Sequence, residues 1–234
     1  MTASEYIELY FKDYKMIAVL SNKNDCRIIR MRNTQVGRDI VLRHYQKAVK
    51  AYDLLRDVTH RNFPEVYDTV HLDDGQLVLE EYIDGITVSD VLTTGCYKYK
   101  GAVAVTEGVC SALMTLHQNG IVHRDIKPEN IIVDKRGGVK LLDLGASRQR
   151  SDLKSRDTVA LGTVGYAPPE QYGISQSDCT ADIYAIGVLL NVMLTGEHPS
   201  VRLASGKAGK VVLKCTSISP ENRFRSVERL IKAL

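Results

Sequence analysis

Short apolar runs separated by polar clusters fill the first third of the chain, and the pattern changes near residue 85. Met16–Leu20 and Cys26–Met31 read as two strands, with the turn-rich cluster Ser21-Asn22-Lys23-Asn24-Asp25 between them. A third run, Asp39–Leu42, follows Gly37. The stretch near Gln46–Val58 has helical spacing, with Val49, Leu54, Leu55 and Val58 as packing positions. Val66–Leu72 and Gln76–Ile83 flank Asp73-Asp74-Gly75, and Asp-Gly between two strand-like runs signals a hairpin.

Beyond Gly85 the period lengthens. Thr87 and Asp90 have the spacing of a capping box at a helix start. Ala102–Gln118 places Val105, Val109, Leu113 and Leu116 on one helical face, and Gly120 ends it. Ile131–Val133 and Val139–Leu142 are short runs around the turn Asp134–Gly138, and the polar segment Ser147–Asp157 reads as a loop. Helical patterns return at Ser177–Thr195, Ala208–Thr216 and Ser226–Leu234. The expectation is α+β: a sheet-rich lobe over about 1–84 and a larger helical lobe over about 85–234, joined near Asp84–Val88, with 1–234 forming one domain.

Composition narrows the function classes. Among 234 residues, 44% are hydrophobic and 25% charged, enough to bury a core. The net charge of +3 is too small and too scattered to argue for nucleic acid. The most apolar segment, Tyr184–Leu194, is shorter than the roughly 20 residues that span a bilayer, so it reads as a core helix. Met1–Lys15 carries charge and lacks the apolar stretch of a signal peptide. Five cysteines, none spaced as C-x-x-C, suggest reduced thiols and a cytoplasmic protein.

The chemistry lies in the second lobe. His123-Arg124-Asp125-Ile126-Lys127-Pro128-Glu129-Asn130 sits between a helix and a short hairpin. Asp143-Leu144-Gly145 begins thirteen residues after Asn130. Then follow Ala167-Pro168-Pro169-Glu170, Asp182-Ile183-Tyr184-Ala185-Ile186-Gly187 and Pro220-Glu221-Asn222-Arg223. In order and spacing these resemble the catalytic loop, the D-F-G element, A-P-E, the buried D-x-W-x-x-G helix and the late Arg of eukaryotic-type Ser/Thr protein kinases. With Glu80-Glu81-Tyr82-Ile83-Asp84-Gly85, the chain looks like the short bacterial members. The resemblance is strong from about Gln76 to Leu234 and looser before it.

That resemblance implies transfer of the γ-phosphate of ATP to a protein hydroxyl, with Mg²⁺ and a nucleotide between the lobes. Asp125 is expected to orient or accept the hydroxyl proton, and Lys127 to put positive charge beside the transferring group. Lys at that position marks Ser/Thr specificity in the family. Asn130 and Asp143 offer the hard oxygens that suit Mg²⁺. Val41 and Ile132 are expected to sandwich the adenine, the backbone of Glu81 and Ile83 to meet its edge, and Arg43 to face the phosphates. Thr163 matches a threonine that bonds the catalytic Asp and Lys. Ser151, Ser155 and Thr158 are candidate phosphorylation sites for Arg124 to read, Thr158 first. His123, and the pair Arg223–Glu170, are expected to be structural.

The first lobe departs from the family pattern. Residues 21–25 contain no glycine where a phosphate-binding lid usually has several. The third-strand Lys is replaced by Arg43, whose planar fork is not equivalent. Its usual helical partner acid aligns with Ala51, and Asp53 is off register. Glu80, before the connector, is a candidate replacement partner for Arg43. These departures favour a rival reading, a pseudokinase acting as a nucleotide-binding or scaffold module; the complete catalytic loop opposes it. A small-molecule phosphotransferase is disfavoured by Gly162–Thr163 and Ala167–Glu170, which resemble a protein-substrate platform.

Overall fold

The structure is a computed structural model that describes residues 1–23, 25–149, 165–172 and 178–234. The chain divides into two compact units, Met1–Ile83 and Asp84–Leu234, and the mixture of antiparallel sheet and packed helices is α+β.

The first unit opens with a helix, α1 (Ala3–Tyr10), in a segment to which the sequence reading assigned no element. Its start is written in the sequence as a capping box: the Thr2 hydroxyl accepts from the Glu5 N–H, and the Glu5 carboxylate accepts from the Thr2 N–H. Then follow β1 (Tyr14–Lys23), β2 (Cys26–Asn33), β3 (Asp39–Tyr45), α2 (Lys50–Asp57), β4 (Val66–Leu72) and β5 (Gly75–Glu81). The strands form one antiparallel sheet in the order β1-β2-β3-β5-β4. Ser21, Asn22 and Lys23, expected in a turn, continue β1 because they pair with Ile28, Arg27 and Cys26. Ladder hydrogen bonds there override weak local propensity. The Asp-Gly hairpin is present, and its glycine is required: a Cβ on Gly75 would lie 1.9 Å from the Tyr45 carbonyl oxygen.

Alternation along β3 and β5 gives the sheet two different faces. Ile40, Leu42 and Leu77 join Ile29, Met31, Ala3 and Phe11 in an apolar core beneath α1. The opposite face carries Val41, Arg43 and Tyr45 across from Glu80, Val78 and Gln76. Helix α2 covers the Tyr45–Gln76 end of that face. Tyr52 and Tyr45 share a hydroxyl–hydroxyl bond of 3.1 Å, and the Val49 N–H donates to Gln76 Oε1 at 2.7 Å. The helix begins at Lys50 rather than near Gln46, because Val49 is extended and gives its N–H to that side chain.

The second unit starts with β6 (Gly85–Thr87) and α3 (Val88–Thr94), capped by Thr87 and Asp90 as expected. Helix α4 (Tyr99–Gln118) follows, with Gly120 at φ 69° past its end. Next come β7 (Ile121–Val122), a 3₁₀ turn at Pro128–Asn130, β8 (Ile131–Asp134), β9 (Val139–Leu141) and β10 (Arg148–Gln149). β6, β8 and β9 form a small sheet, and β10 pairs with β7. The remaining helices are α5 (Cys179–Thr195), α6 (Gly206–Cys215) and α7 (Val227–Ile231), with 3₁₀ turns at Pro169–Tyr172 and Pro220–Asn222.

Helix α5 is buried along most of its length, so its few polar side chains must find partners inside. Asn191 does so by ordering the loop after its own helix. Its amide donates to the carbonyls of Glu197 at 2.8 Å and Arg202 at 2.7 Å, and accepts from the Ala204 N–H at 2.8 Å. Gly187 lets α6 approach: a Cβ there would stand 2.4 Å from Cys215 Cβ and 3.1 Å from Thr216 Cγ2. No helix among the described residues is long and apolar enough to cross a membrane.

Gly187→Ala should therefore destabilise the fold by about 1–3 kcal/mol through overpacking. A melting curve by circular dichroism checks this. A melting temperature equal to wild type would mean that α6 can shift away without cost.

Candidate active site

The site is built on loops that a buried carboxylate holds. Asp182, in the first turn of α5, is fully buried. Its Oδ2 accepts from the His123 N–H at 2.9 Å, and its Oδ1 from the Arg124 N–H at 2.8 Å. Nε2 of His117, in the last turn of α4, lies 2.8 Å from Oδ2. Hydrogen bonds to a charged group are worth about 1.5–3 kcal/mol each, while a buried carboxylate without them would be strongly disfavoured. Arg124 has φ 71°, a left-handed conformation that costs of order 1–3 kcal/mol for a non-glycine residue. The bonds from the His123 and Arg124 amides to Asp182 offset that strain and aim the next residue, Asp125.

Burial alone would lower the His117 pKa, but the hydrogen bond to Asp182 and that carboxylate's charge overcome it and raise it to about 10. Burial likewise works against the Asp182 charge, yet the His117 bond and charge hold its pKa below the usual range. The two are an ion pair inside the unit.

Asp125, Lys127 and Asn130 converge. Lys127 Nζ lies 2.7 Å from Asp125 Oδ2. The Asn130 amide nitrogen donates to Asp125 Oδ2 and to its backbone carbonyl, both at 2.9 Å. The 3₁₀ turn that delivers Asn130 is set by Pro128 at its first position. The residue before Asp143 is tied to this loop by two hydrogen bonds to its own backbone. The Leu142 N–H donates to the Asn130 carbonyl at 2.8 Å, and His123 Nε2 donates to the Leu142 carbonyl at 3.2 Å. His123 Nδ1 in turn accepts from the Asp125 N–H at 3.3 Å, so this buried imidazole spaces the two loop segments. It is structural, as expected. Asp143 has φ 57°, a conformation that Asp tolerates, and its Oδ1 accepts from the Gly145 N–H at 3.1 Å.

Both N–H groups of the Asn130 amide point at Asp125, which makes its Oδ1 the atom available to a cation. A carboxylate and an amide oxygen on adjacent strand ends suit Mg²⁺, which takes few protein ligands. Among the described residues no group of three or more His, Cys, Asp or Glu side chains could hold a metal ion by itself.

Ile132 lies on β8, directly after this turn. Val41 and Arg43 lie on β3, Glu81 ends β5, and Ile83 closes the first unit. The Arg43–Glu80 pair exists: Arg43 Nε donates to Glu80 Oε1 at 2.6 Å, and the side chains are 5% and 4% exposed. The reading of Glu80 as a solvent-facing strand residue is therefore excluded. Arg223 meets Glu170 through both terminal guanidinium nitrogens, Nη1 to Oε1 and Nη2 to Oε2 at 3.0 Å, and also donates from Nε to the Ser217 carbonyl at 2.8 Å. Thr163 and the candidate phosphorylation sites Ser151, Ser155 and Thr158 lie outside the described residues. The sequence reading missed His117; the available signal was a histidine in the last turn of a helix, where a cation is favoured.

A raised histidine pKa stabilises the fold fully below about pH 6.5, and the gain is lost as pH rises through about 10. His117→Gln should therefore lower the melting temperature most at pH 6 and progressively less toward pH 10. Parallel melting curves of both proteins check this; a pH-independent gap would assign His117 a packing role alone.

The kinase domain signature is also found by comparison. A serine/threonine-protein kinase PknB of Mycobacterium tuberculosis is 32% identical over an alignment covering 86% of this chain and 40% of the relative. PrkC of Bacillus subtilis, a serine/threonine-protein kinase, is 38% identical over 60% of this chain and 22% of the relative. A probable serine/threonine-protein kinase PknB of Lactococcus lactis is 31% identical over 69% and 26%. The chain thus spans about two fifths or less of the length of these relatives. Residues 17–229 match the family model of the protein kinase domain, and this chain belongs to that family.

Proposed function

We propose that residues 1–234 act as one kinase domain that transfers the γ-phosphate of ATP to a serine or threonine hydroxyl of a protein, in the cytoplasm. The observation that carries this reading is the cluster of Asp125, Lys127 and Asn130 within hydrogen-bond reach, with Asp143 tied beside them. The fold needs only a turn in this place, whereas phosphoryl transfer needs a carboxylate, a fixed cation and two hard oxygen ligands together.

In this proposal Asp125 orients the attacking hydroxyl and takes up its proton. Lys127, bonded to the same carboxylate, keeps that carboxylate in place and puts positive charge beside the transferring group. Asn130 and Asp143 would hold Mg²⁺, which supplies neutralising charge to the phosphate oxygens when bound. Val41 and Ile132 provide apolar contact for the adenine. The Glu81 N–H already donates to the Glu65 carbonyl at 2.8 Å, so its part at the adenine edge falls to its own carbonyl, with Ile83 beside it. Lys127 directs the reaction to aliphatic hydroxyls rather than to tyrosine.

Purified chain with radiolabelled ATP tests this. Asp125→Asn should reduce phosphate transfer by a factor of about 10²–10⁴, the usual contribution of a positioned base, while leaving the ATP–Mg²⁺ thermal shift intact. Asp143→Asn should abolish the Mg²⁺-dependent part of that shift. A thermal shift without any transfer by the wild-type chain would replace this reading with a nucleotide-binding module.

A further inference from the structure

In the first unit, a buried cation is held by an acid from a neighbouring strand and not by one from the helix above the sheet. Val41 pairs with Glu80 and Arg43 with Val78 across β3 and β5, so Arg43 and Glu80 are diagonal neighbours on one face. Long side chains reach across such a diagonal, and Arg43 Nε meets Glu80 Oε1 at 2.6 Å. Both are almost completely buried. An apolar pair of similar volume would serve the sheet as well or better, since taking two charges out of water is costly. Stability therefore does not account for charges at these two positions.

The acids of α2 are engaged elsewhere. Asp53 accepts from Thr69 Oγ1 at 3.0 Å and from Gln76 Nε2 at 2.9 Å, and His71 Nε2 lies 3.3 Å away. Asp57 pairs with its neighbour Arg56. The positions on α2 that turn toward the core are Ala51, Tyr52 and Leu55, none of which has a charge to offer. Helix α2 sits over the Tyr45–Gln76 end of the face, and Glu80 approaches Arg43 from the Val41 end.

We propose that Glu80 is the positioning residue for Arg43. It holds the guanidinium so that its charge serves the nucleotide phosphates, and it does so independently of α2. This deepens the phosphotransfer reading above and rests on it. Two strands that share backbone hydrogen bonds cannot separate as a helix can move on a sheet. The cation is thus set whenever the sheet is folded, and displacement of α2 does not release it through its acids.

The test measures KM for ATP, turnover and the ATP–Mg²⁺ thermal shift for the full chain. Glu80→Gln should raise KM for ATP by about ten- to hundredfold, the loss expected for a buried charge-assisted bond, and shrink the thermal shift. Glu80→Asp should recover part of both. Asp53→Asn should lower the melting temperature and leave KM and turnover at wild-type values. If Glu80→Gln does not fold, the double replacement Arg43→Met with Glu80→Met keeps a packed sheet and should lose the thermal shift. Wild-type KM and turnover in Glu80→Gln, or a retained shift in the double variant, would overturn the proposal. So would loss of ATP affinity in folded Asp53→Asn. Asp125→Asn separates the two claims: a wild-type chain that binds ATP without transferring phosphate overturns the catalytic reading and leaves the Glu80 claim to be decided by the thermal shift. A wild-type chain with neither overturns both.

Discussion

The Asp182 carboxylate has no access to water, so each of its oxygens must be met by a donor of the protein. The donors it finds are two consecutive backbone amides of the loop before Asp125, and the imidazolium of His117. One ionised group thereby joins three parts of the second unit: the end of α4, the catalytic loop and the start of α5. The left-handed backbone at Arg124 persists because these bonds over-determine it. The direction of Asp125, and through it the placing of Lys127 and Asn130, follows from that local geometry.

Much of this unit was legible in the sequence because its signals are short-range. The turn at Pro128–Asn130, the capping box of α3 and the stop at Gly120 each depend on residues within one helical turn. The candidate catalytic residues stood out for another reason: their identities suit chemistry that a packed loop does not need. His117 offered only its place in the last turn of a helix, and its partner is a carboxylate 65 positions away. The helix α1 was written in Thr2 and Glu5, but the segment was weighed only as a leader and its capping box was passed over. The strand character of Ser21–Lys23 could not be read locally, since it comes from pairing with β2.

The first unit shows how far alternation can carry an argument. Period-two spacing separates an apolar face under α1 from a face with Arg43, Glu80 and Gln76. Buried polar side chains on one face of a sheet are a conspicuous load, and these have defined partners: Arg43 with Glu80, Gln76 with Val49 and Asp53, and Thr69 with Asp53. Gln76 fastens α2 through neutral and charged bonds, whereas Arg43 and Glu80 fasten each other. Helix anchoring and cation placement are thus divided between adjacent rungs of the same ladder.

The long sequence separation of the second unit's charged contacts bears on how the chain matures during synthesis. Proteins are made from the N-terminus, and a segment can settle only when its partners have emerged. Glu170 is buried against Arg223, which is 53 positions later. On the ribosome, Asp125 would be exposed well before Asp182 exists to orient it, and Glu170 would remain hydrated until residue 223 had been added. The second unit can therefore settle only when nearly the whole of it has left the exit tunnel.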